Sequence, residues 1–203
     1  IEQYPKRGGG APEAGTVRCT SMAHRSKPRV VQCLVCGLLA AENGQASEEL
    51  QALYADVVDE TYLENRAARQ RTFQVTFDAI APSLPSPGRM LEVGAYCGFF
   101  MEVAQQRNWR VEGIEPSLWA AAYARNHLKL DVHQGTLEEV GGRLKGGYDV
   151  VTLWDVLEHL SDPMRALQRI HGLLGERGLL CLSTLDVDSW FPRLTGPRWP
   201  WIM

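Results

Sequence analysis

Glu92 and Glu115 are the residues of this chain best placed to do chemistry, because each closes a short apolar run and is followed by a turn. Glu92 lies in Met90-Leu91-Glu92-Val93, ahead of Gly94 and Gly98, and an apolar-periodic segment begins at Phe99. An apolar run, a glycine break and a helical period are how a strand, a tight turn and a helix read in sequence. Gly94 permits a backbone conformation that a side chain forbids, and Gly98 lets the helix start lie close to a ligand. The free N–H groups of a helix start welcome an anion. A carboxylate at Glu92 would repel a pyrophosphate there and suits a ligand carrying an ammonium or another cation. Glu115 stands about 20 residues beyond the turn, the offset at which nucleotide-type folds place a carboxylate on ribose hydroxyls. No basic residue follows it immediately to receive a 2′-phosphate. Taken singly, the turn reads equally as a plain strand–helix corner and Glu115 as a solvated strand end; their order and register carry the ligand reading.

Two further constellations have chemistry in them. In Asp155-Val156-Leu157-Glu158-His159, the imidazole titrates near neutrality and suits a general base. Asp155, Glu158 and His159 together also suit a divalent ion that polarises a hydroxyl. The plain alternative is that Glu158 and His159 brace the loop and cap the next helix. Near the start, Cys33-x-x-Cys36-Gly37 has the shape of a zinc knuckle, in which a tight turn brings two thiolates onto one tetrahedral ion. Met22 is a poor zinc ligand, so Cys19 and His24 are the residues left to complete the set. The competing reading is a hairpin held by packing alone, and no helix start follows to favour a redox pair. Cys97 and Cys181 read as small core residues.

Glu92-x-Gly94-x-x-x-Gly98, Glu115-Pro116-Ser117 and Asp155-Val156-Leu157-Glu158-His159-Leu160-x-Asp162-Pro163 resemble the class I S-adenosylmethionine-dependent methyltransferases. The resemblance runs from about Cys33 to the last residue. It is nearest to the subgroup with a small cysteine-bearing, zinc-knuckle-like segment ahead of the catalytic domain. It implies that Glu92, Gly94, Ala95, Tyr96, Gly98 and Phe99 hold the methionine end and ribose of S-adenosylmethionine. Glu115, with Pro116 and Ser117, would take the ribose hydroxyls, and Gly135, Thr136 and Leu137 would frame adenine. Trp154 and Asp155 would line the floor below the methyl group, with Asp155 and His159 as the candidate catalytic residues. The family usually has a further glycine where Tyr96 stands, which leaves less room over the turn. The implied activity is methyl transfer to a small molecule such as a sugar, a lipid precursor or a secondary metabolite. Similar Glu-x-x-Glu-His patterns hold a metal in ubiquinone-biosynthesis O-methyltransferases and in small-RNA 3′-terminal 2′-O-methyltransferases.

Two other classes compete. A nicotinamide-dependent oxidoreductase needs Gly-x-Gly-x-x-Gly, which Tyr96 with Gly98 does not supply. A non-catalytic cofactor- or partner-binding module is suggested by Tyr96, the half knuckle and the place where the chain stops.

The elements that must position these residues alternate regularly. Strands are expected at Arg89–Val93, Val111–Ile114, Asp131–Gln134, Tyr148–Leu153 and Leu179–Thr184. Helices are expected from Phe99, from Ser117, and over Pro163–Leu174, where Asp162 caps and proline takes the first position. Such alternation means a Rossmann-like parallel sheet with helices on both faces and ligands beyond the carboxyl ends of its strands. The family's further two strands are expected to be missing. Before this domain (88–203), residues 1–45 read as a disordered start and degenerate knuckle, and 46–87 as a helical extension. In the extension, Ser47 opens one helix and Tyr62–Ile80 forms a longer one covering the cofactor's approach. Ser189–Trp201 reads as an aromatic loop over the acceptor or under the missing strands.

At 203 residues, 45% hydrophobic and 22% charged, the chain has ample core for one domain with an appendage. A net charge of −3 leaves no electrostatic footprint for nucleic acid. No apolar run reaches the roughly 20 residues a membrane span needs. Five cysteines without a regular framework suit a reducing compartment, and the expected location is cytoplasmic.

Overall fold

The computed structural model describes residues 30–41 and 54–195. Residues 1–29, 42–53 and 196–203 lie outside them, and with them Cys19, His24, the helix expected from Ser47 as far as Leu53, and Gly196–Trp201. An antiparallel hairpin of β1 (Val30–Gln32) and β2 (Leu39–Ala41) carries the Cys33–Gly37 turn. The central sheet holds β3 (Arg89–Val93), β4 (Arg110–Glu115), β5 (Asp131–Gln134), β6 (Tyr148–Trp154) and β7 (Leu174–Ser183). Its order is β5-β4-β3-β6-β7, every neighbouring pair parallel. The chain therefore runs outward from β3 to β5, returns, and continues outward on the other side from β6. The strand order reverses between β3 and β6, the place where open parallel sheets leave a crevice for ligands.

Period-2 side-chain alternation divides the core into two layers. On one face Leu91, Val93, Val151 and Leu153 pack with Ala166, Ile170 and Leu173 of α6 (Pro163–Leu173) and with Leu137 and Val140 of α5 (Leu137–Val140). On the other, Met90 and Val150 meet Phe77 of α2 (Arg66–Ile80) and Phe100 and Val103 of α3 (Phe99–Gln105). Near the amino ends of the strands, Glu112 accepts from Arg89 Nη2 (3.0 Å) and from the Tyr148 hydroxyl (2.8 Å), and so ties β4 to β3 and β6. Asp162 caps α6 by accepting from the Arg165 N–H (2.9 Å), and proline stands at its first position, as the sequence signals. Among the described residues, no helix is long and apolar enough to cross a membrane.

Four elements differ from expectation. The helix expected over Tyr62–Ile80 is two helices, α1 (Glu60–Glu64) and α2, because Asn65 Nδ2 turns back to the Thr61 carbonyl (3.0 Å) and closes the first. Asp59 caps α1 by accepting from the Tyr62 N–H. The strand expected at Leu179–Thr184 begins earlier: β7 pairs Leu174 with Tyr148 and then shifts register before Leu179 meets Val150. The shift spans Gly175 to Gly178, and a side chain on Gly178 would lie 2.7 Å from the Tyr148 carbonyl oxygen. After β5, where no helix is expected, the chain forms the short α5, and the terminal aromatic stretch begins with a helix, α7 (Trp190–Thr195), rather than a loop.

Gly98 is also explained by packing. It caps α3 with φ 78°, and an added Cβ would lie 2.6 Å from Leu130 Cδ1 and 3.2 Å from Ala124 Cβ, on α4 (Leu118–Leu128) and just beyond it. The space that a side chain on Gly98 would take is filled by core. Gly98→Ala should therefore lower stability by about 1–3 kcal/mol through the left-handed backbone and the overpacking. The check is a urea midpoint shifted downward at constant m-value; an unmoved midpoint would sink this reading.

Candidate active site

The turn after β3 is built from left-handed residues: Gly94 (φ 76°), Tyr96 (φ 46°) and Gly98 (φ 78°). The N–H groups of Gly94 and Ala95 both donate to the Ile114 carbonyl (2.9 and 3.0 Å), which clamps the turn to β4. The Val156 side chain occupies the space where a Cβ on Gly94 would go, so only glycine lets the loop after β6 come this close. Tyr96 takes the left-handed conformation expected of glycine at a cost of about 1–3 kcal/mol. Aromatic contacts oppose that cost. Its ring meets Tyr62 edge-on (4.5 Å between centroids) and Trp119 at 6.3 Å, while Tyr62 stacks on Phe99 (5.4 Å). Aromatic pairs of this kind contribute about 0.5–1.5 kcal/mol each beyond their buried area.

Two buried carboxylates face this turn. Glu115 Oε2 accepts from the Tyr96 N–H and Oε1 from the Ser117 N–H, each at 2.7 Å. Burial pushes its carboxyl up to about 7 even though both N–H groups favour the charged form. Glu92 is buried at the end of β3, and its Oε2 has no hydrogen-bond partner. Burial first, and the negative charge of Glu115 second, hold its carboxyl well above the usual range, against the Met101 N–H that lowers it. Among the described residues, no cationic side chain lowers either carboxyl.

The third and fourth strand ends are arranged differently. Gly135 N–H donates to the Glu115 carbonyl (3.0 Å), while Thr136 closes a capping box with Glu139. Its hydroxyl accepts from the Glu139 N–H (3.3 Å) and its own N–H donates to Glu139 Oε2 (2.7 Å), so the Thr136 polar groups serve the helix. Leu137 is buried in the core, and the Pro116 carbonyl accepts from Gln134 Nε2 (3.1 Å). Trp154 turns onto Phe100 (4.9 Å) with its indole N–H buried and without a hydrogen-bond partner. Asp155, exposed and left-handed (φ 53°), is bound to the edge strand: its N–H and Oδ1 both meet the Ser183 hydroxyl (3.1 and 2.8 Å). Glu158 is held above the ordinary carboxylate range by desolvation and by Asp155. His159 Nδ1 lies 3.1 Å from the Tyr54 hydroxyl.

Among the described residues, Asp155, Glu158 and His159 do not bring their ligand atoms within 4.8 Å of one another. The group that does is Glu112, Asp131 and His133, towards the other end of the strands. The hairpin turn places Cys33 and Cys36 together and exposed. The N–H groups of Cys36 and Val35, then the Cys36 side chain, hold the Cys33 thiol below its ordinary range.

Helical spacing in the sequence marks Tyr54 and Val57, but not the partners to which they pin the N-terminal segment. Val57 is buried, and its carbonyl accepts from the Ser117 hydroxyl (3.0 Å), which also caps α4. Tyr54, Val57 and Tyr62 thus touch the loops after β6, β4 and β3 in turn. Spacing alone does not name the partner of Val57; the contacts exist only once the strands are ordered.

The raised carboxyls link stability to pH. A buried acid whose carboxyl lies above its unfolded value binds more protons when folded, so stability falls as pH rises from about 4.5 to about 7. Glu92→Gln removes one buried charge at constant shape. Its melting temperature should match the wild type near pH 5 and exceed it at pH 8; an equal deficit at both values would contradict the assignment.

A family model described as a methyltransferase domain matches residues 62–203. The ubiquinone biosynthesis O-methyltransferase of Pseudomonas aeruginosa (strain UCBPP-PA14) is 32% identical over 103 residues, 48% of this chain and 44% of that protein. The chain spans about half the length of the curated relatives it matches. Among solved structures, a SAM-dependent methyltransferase from Archaeoglobus fulgidus superposes with a TM-score of 0.57 at 16% identity, covering 67% of this chain and 63% of that one. One from Thermotoga maritima gives 0.51 at 23% identity, covering 66% and 62%. These likenesses show the fold, and the domain match, spanning the glycine turn, both buried acids and the loop after β6, shows the family: the chain belongs to the methyltransferase-domain family.

Proposed function

We propose that this chain binds S-adenosylmethionine across the carboxyl ends of β3 and β4 and passes its methyl group to a small-molecule acceptor. One observation carries the reading: Glu92 and Glu115 are buried beside a glycine turn, and among the described residues no cationic side chain lowers either carboxyl. S-adenosylmethionine supplies an ammonium for Glu92 and vicinal ribose hydroxyls for Glu115, and its sulfonium adds positive charge to an acidic crevice. A nicotinamide dinucleotide would bring its pyrophosphate against Glu92 instead. The unit that does this is residues 88–203, with 46–87 as its cover. Gly94, Ala95, Tyr96 and Phe99 shape the methionine and ribose side, Gly98 supports them from the core, and Pro116 and Ser117 flank the ribose. Gly135 and Leu137 frame adenine by shape, since Thr136 is engaged in its cap.

Bound S-adenosylmethionine supplies an activated methyl group, so the chain's own work is to hold an acceptor atom in line with it and to exclude water. Trp154 and Asp155 stand at the end of β6 beside that position, and His159 is the group able to take the acceptor's proton. The relatives' name, O-methyltransferase, favours a hydroxyl acceptor. A non-catalytic module would keep the acids without needing His159.

Cys33 and Cys36 favour a second assignment, two thiolates of a structural zinc site completed by Cys19 and His24. The N–H groups aimed at Cys33 sulfur are what a metal-bound thiolate needs. Cys33→Ser should then remove stoichiometric zinc from purified protein by metal analysis; wild-type protein purified without zinc, and taking up none when it is supplied, would refute it.

Calorimetric titration tests the main reading. Micromolar binding of S-adenosylmethionine and S-adenosylhomocysteine should weaken at least about tenfold, or about 1.4 kcal/mol, in Glu115→Ala. Binding of NAD in their place would end it.

A further inference from the structure

We infer that Tyr54 is a positioning residue for His159, holding the imidazole by its Nδ1 so that Nε2 is the nitrogen presented to the acceptor's proton. The inference rests on the methyltransferase reading and adds a residue to it. Tyr54 and His159 are separated by 105 positions, yet the hydroxyl lies 3.1 Å from Nδ1 and the two rings meet edge to face, 5.9 Å between centroids. Both groups have their backbones anchored. His159 ends a short 3-10 turn, Leu157–His159, and its N–H donates to the Val156 carbonyl (2.9 Å). Tyr54 is fixed through Val57, whose N–H returns to the Tyr54 carbonyl (3.3 Å) and whose carbonyl receives the Ser117 hydroxyl. Ser117 in turn follows Glu115, the residue assigned to the ribose. The same strap therefore reaches the ribose side and the candidate base.

A ring nitrogen accepts a proton only through its lone pair, and a neutral imidazole has one lone pair and one N–H. For Nε2 to act as base, Nδ1 must carry the hydrogen, and an acceptor at Nδ1 selects that state. The Tyr54 hydroxyl is able both to donate to Nδ1 and to accept from its N–H, and we assign it the acceptor's role. In the transfer the acceptor's O–H bond breaks as its oxygen bonds to the methyl carbon. The C–S bonding pair returns to sulfur, which becomes a neutral thioether, and the proton moves to Nε2. The imidazolium so formed keeps its Nδ1–H on Tyr54.

The test reads the imidazole directly, without a known acceptor. The full chain, labelled with 15N in its imidazoles, is compared by long-range 1H–15N NMR above the histidine titration. His159→Gln identifies the ring among the five histidines. In the wild type the Nδ1–H tautomer of His159 should predominate. Tyr54→Phe keeps the ring contact and removes only the hydroxyl. It should move the ratio towards Nε2–H about fivefold, what one hydrogen bond of ordinary net strength supports. A 4-fluorophenylalanine at position 54, of similar shape but without the hydroxyl, should move it the same way and serves if Tyr54→Phe folds poorly. A predominant Nε2–H tautomer in the wild type, or a ratio unmoved by either change, would overturn the inference. S-adenosylmethionine titration of wild type and Tyr54→Phe should give affinities within about twofold of each other. Absence of binding in both would count against the methyltransferase reading, while the tautomer ratio still decides whether Tyr54 sets His159.

Discussion

The contact on which the site depends is the Glu115 carboxylate with one oxygen on the Tyr96 N–H and the other on the Ser117 N–H. It fastens the turn after β3 to the loop after β4 across the crevice, in a place where an unpartnered carboxylate would not remain charged. Each oxygen of a carboxylate has two acceptor directions, so two N–H donors leave capacity for two hydroxyls. The structural bond and the ligand role are therefore compatible. The same bonds restrain Tyr96 in its left-handed conformation, with Tyr62 packing on it from above.

From that contact the rest of the site follows by connectivity. Ser117 reaches Val57, Val57 fixes the strap, and the strap delivers Tyr62 to the glycine turn and Tyr54 to His159. Beneath it, parallel pairing sets Glu92 on β3 beside Thr152 on β6, which places the uncompensated acid next to the strand reversal. The amino ends of the strands are held by a separate polar cluster of Arg89, Glu112 and Tyr148, where the guanidinium also lies 4.5 Å from the tyrosine ring. One end of the sheet holds a paired polar cluster and the other two buried acids.

What could be read in the sequence was what repeats locally. Alternation of apolar runs with helical periods gives five strands whose parallel pairing the structure bears out, and Asp162-Pro163 marks a helix start to the residue. The acids were legible because each ends a strand beside a turn. What escaped notice depends on distant partners. Asn65 breaks a helix through its own side chain, but nothing in its neighbours distinguishes it from a solvated asparagine. The early start of β7 requires the Tyr148 carbonyl opposite Gly178. Gly98 carries the signature of a ligand-facing glycine while its neighbour in space is Leu130. Tyr54 and Val57 fall at helical spacing, but their partners have no signal until the loops after β4 and β6 are brought side by side.

The central claim is that a cation belongs between two acids that burial keeps partly protonated. Calorimetric titration with S-adenosylmethionine near pH 6.5, in buffers of different ionisation enthalpy, tests it most directly. An ammonium at Glu92 and hydroxyls at Glu115 both favour the charged carboxylates, so binding should release protons, with Glu115 starting from about 7. Net proton release near pH 6.5 is the predicted result; binding there with no proton release, or with uptake, would contradict it.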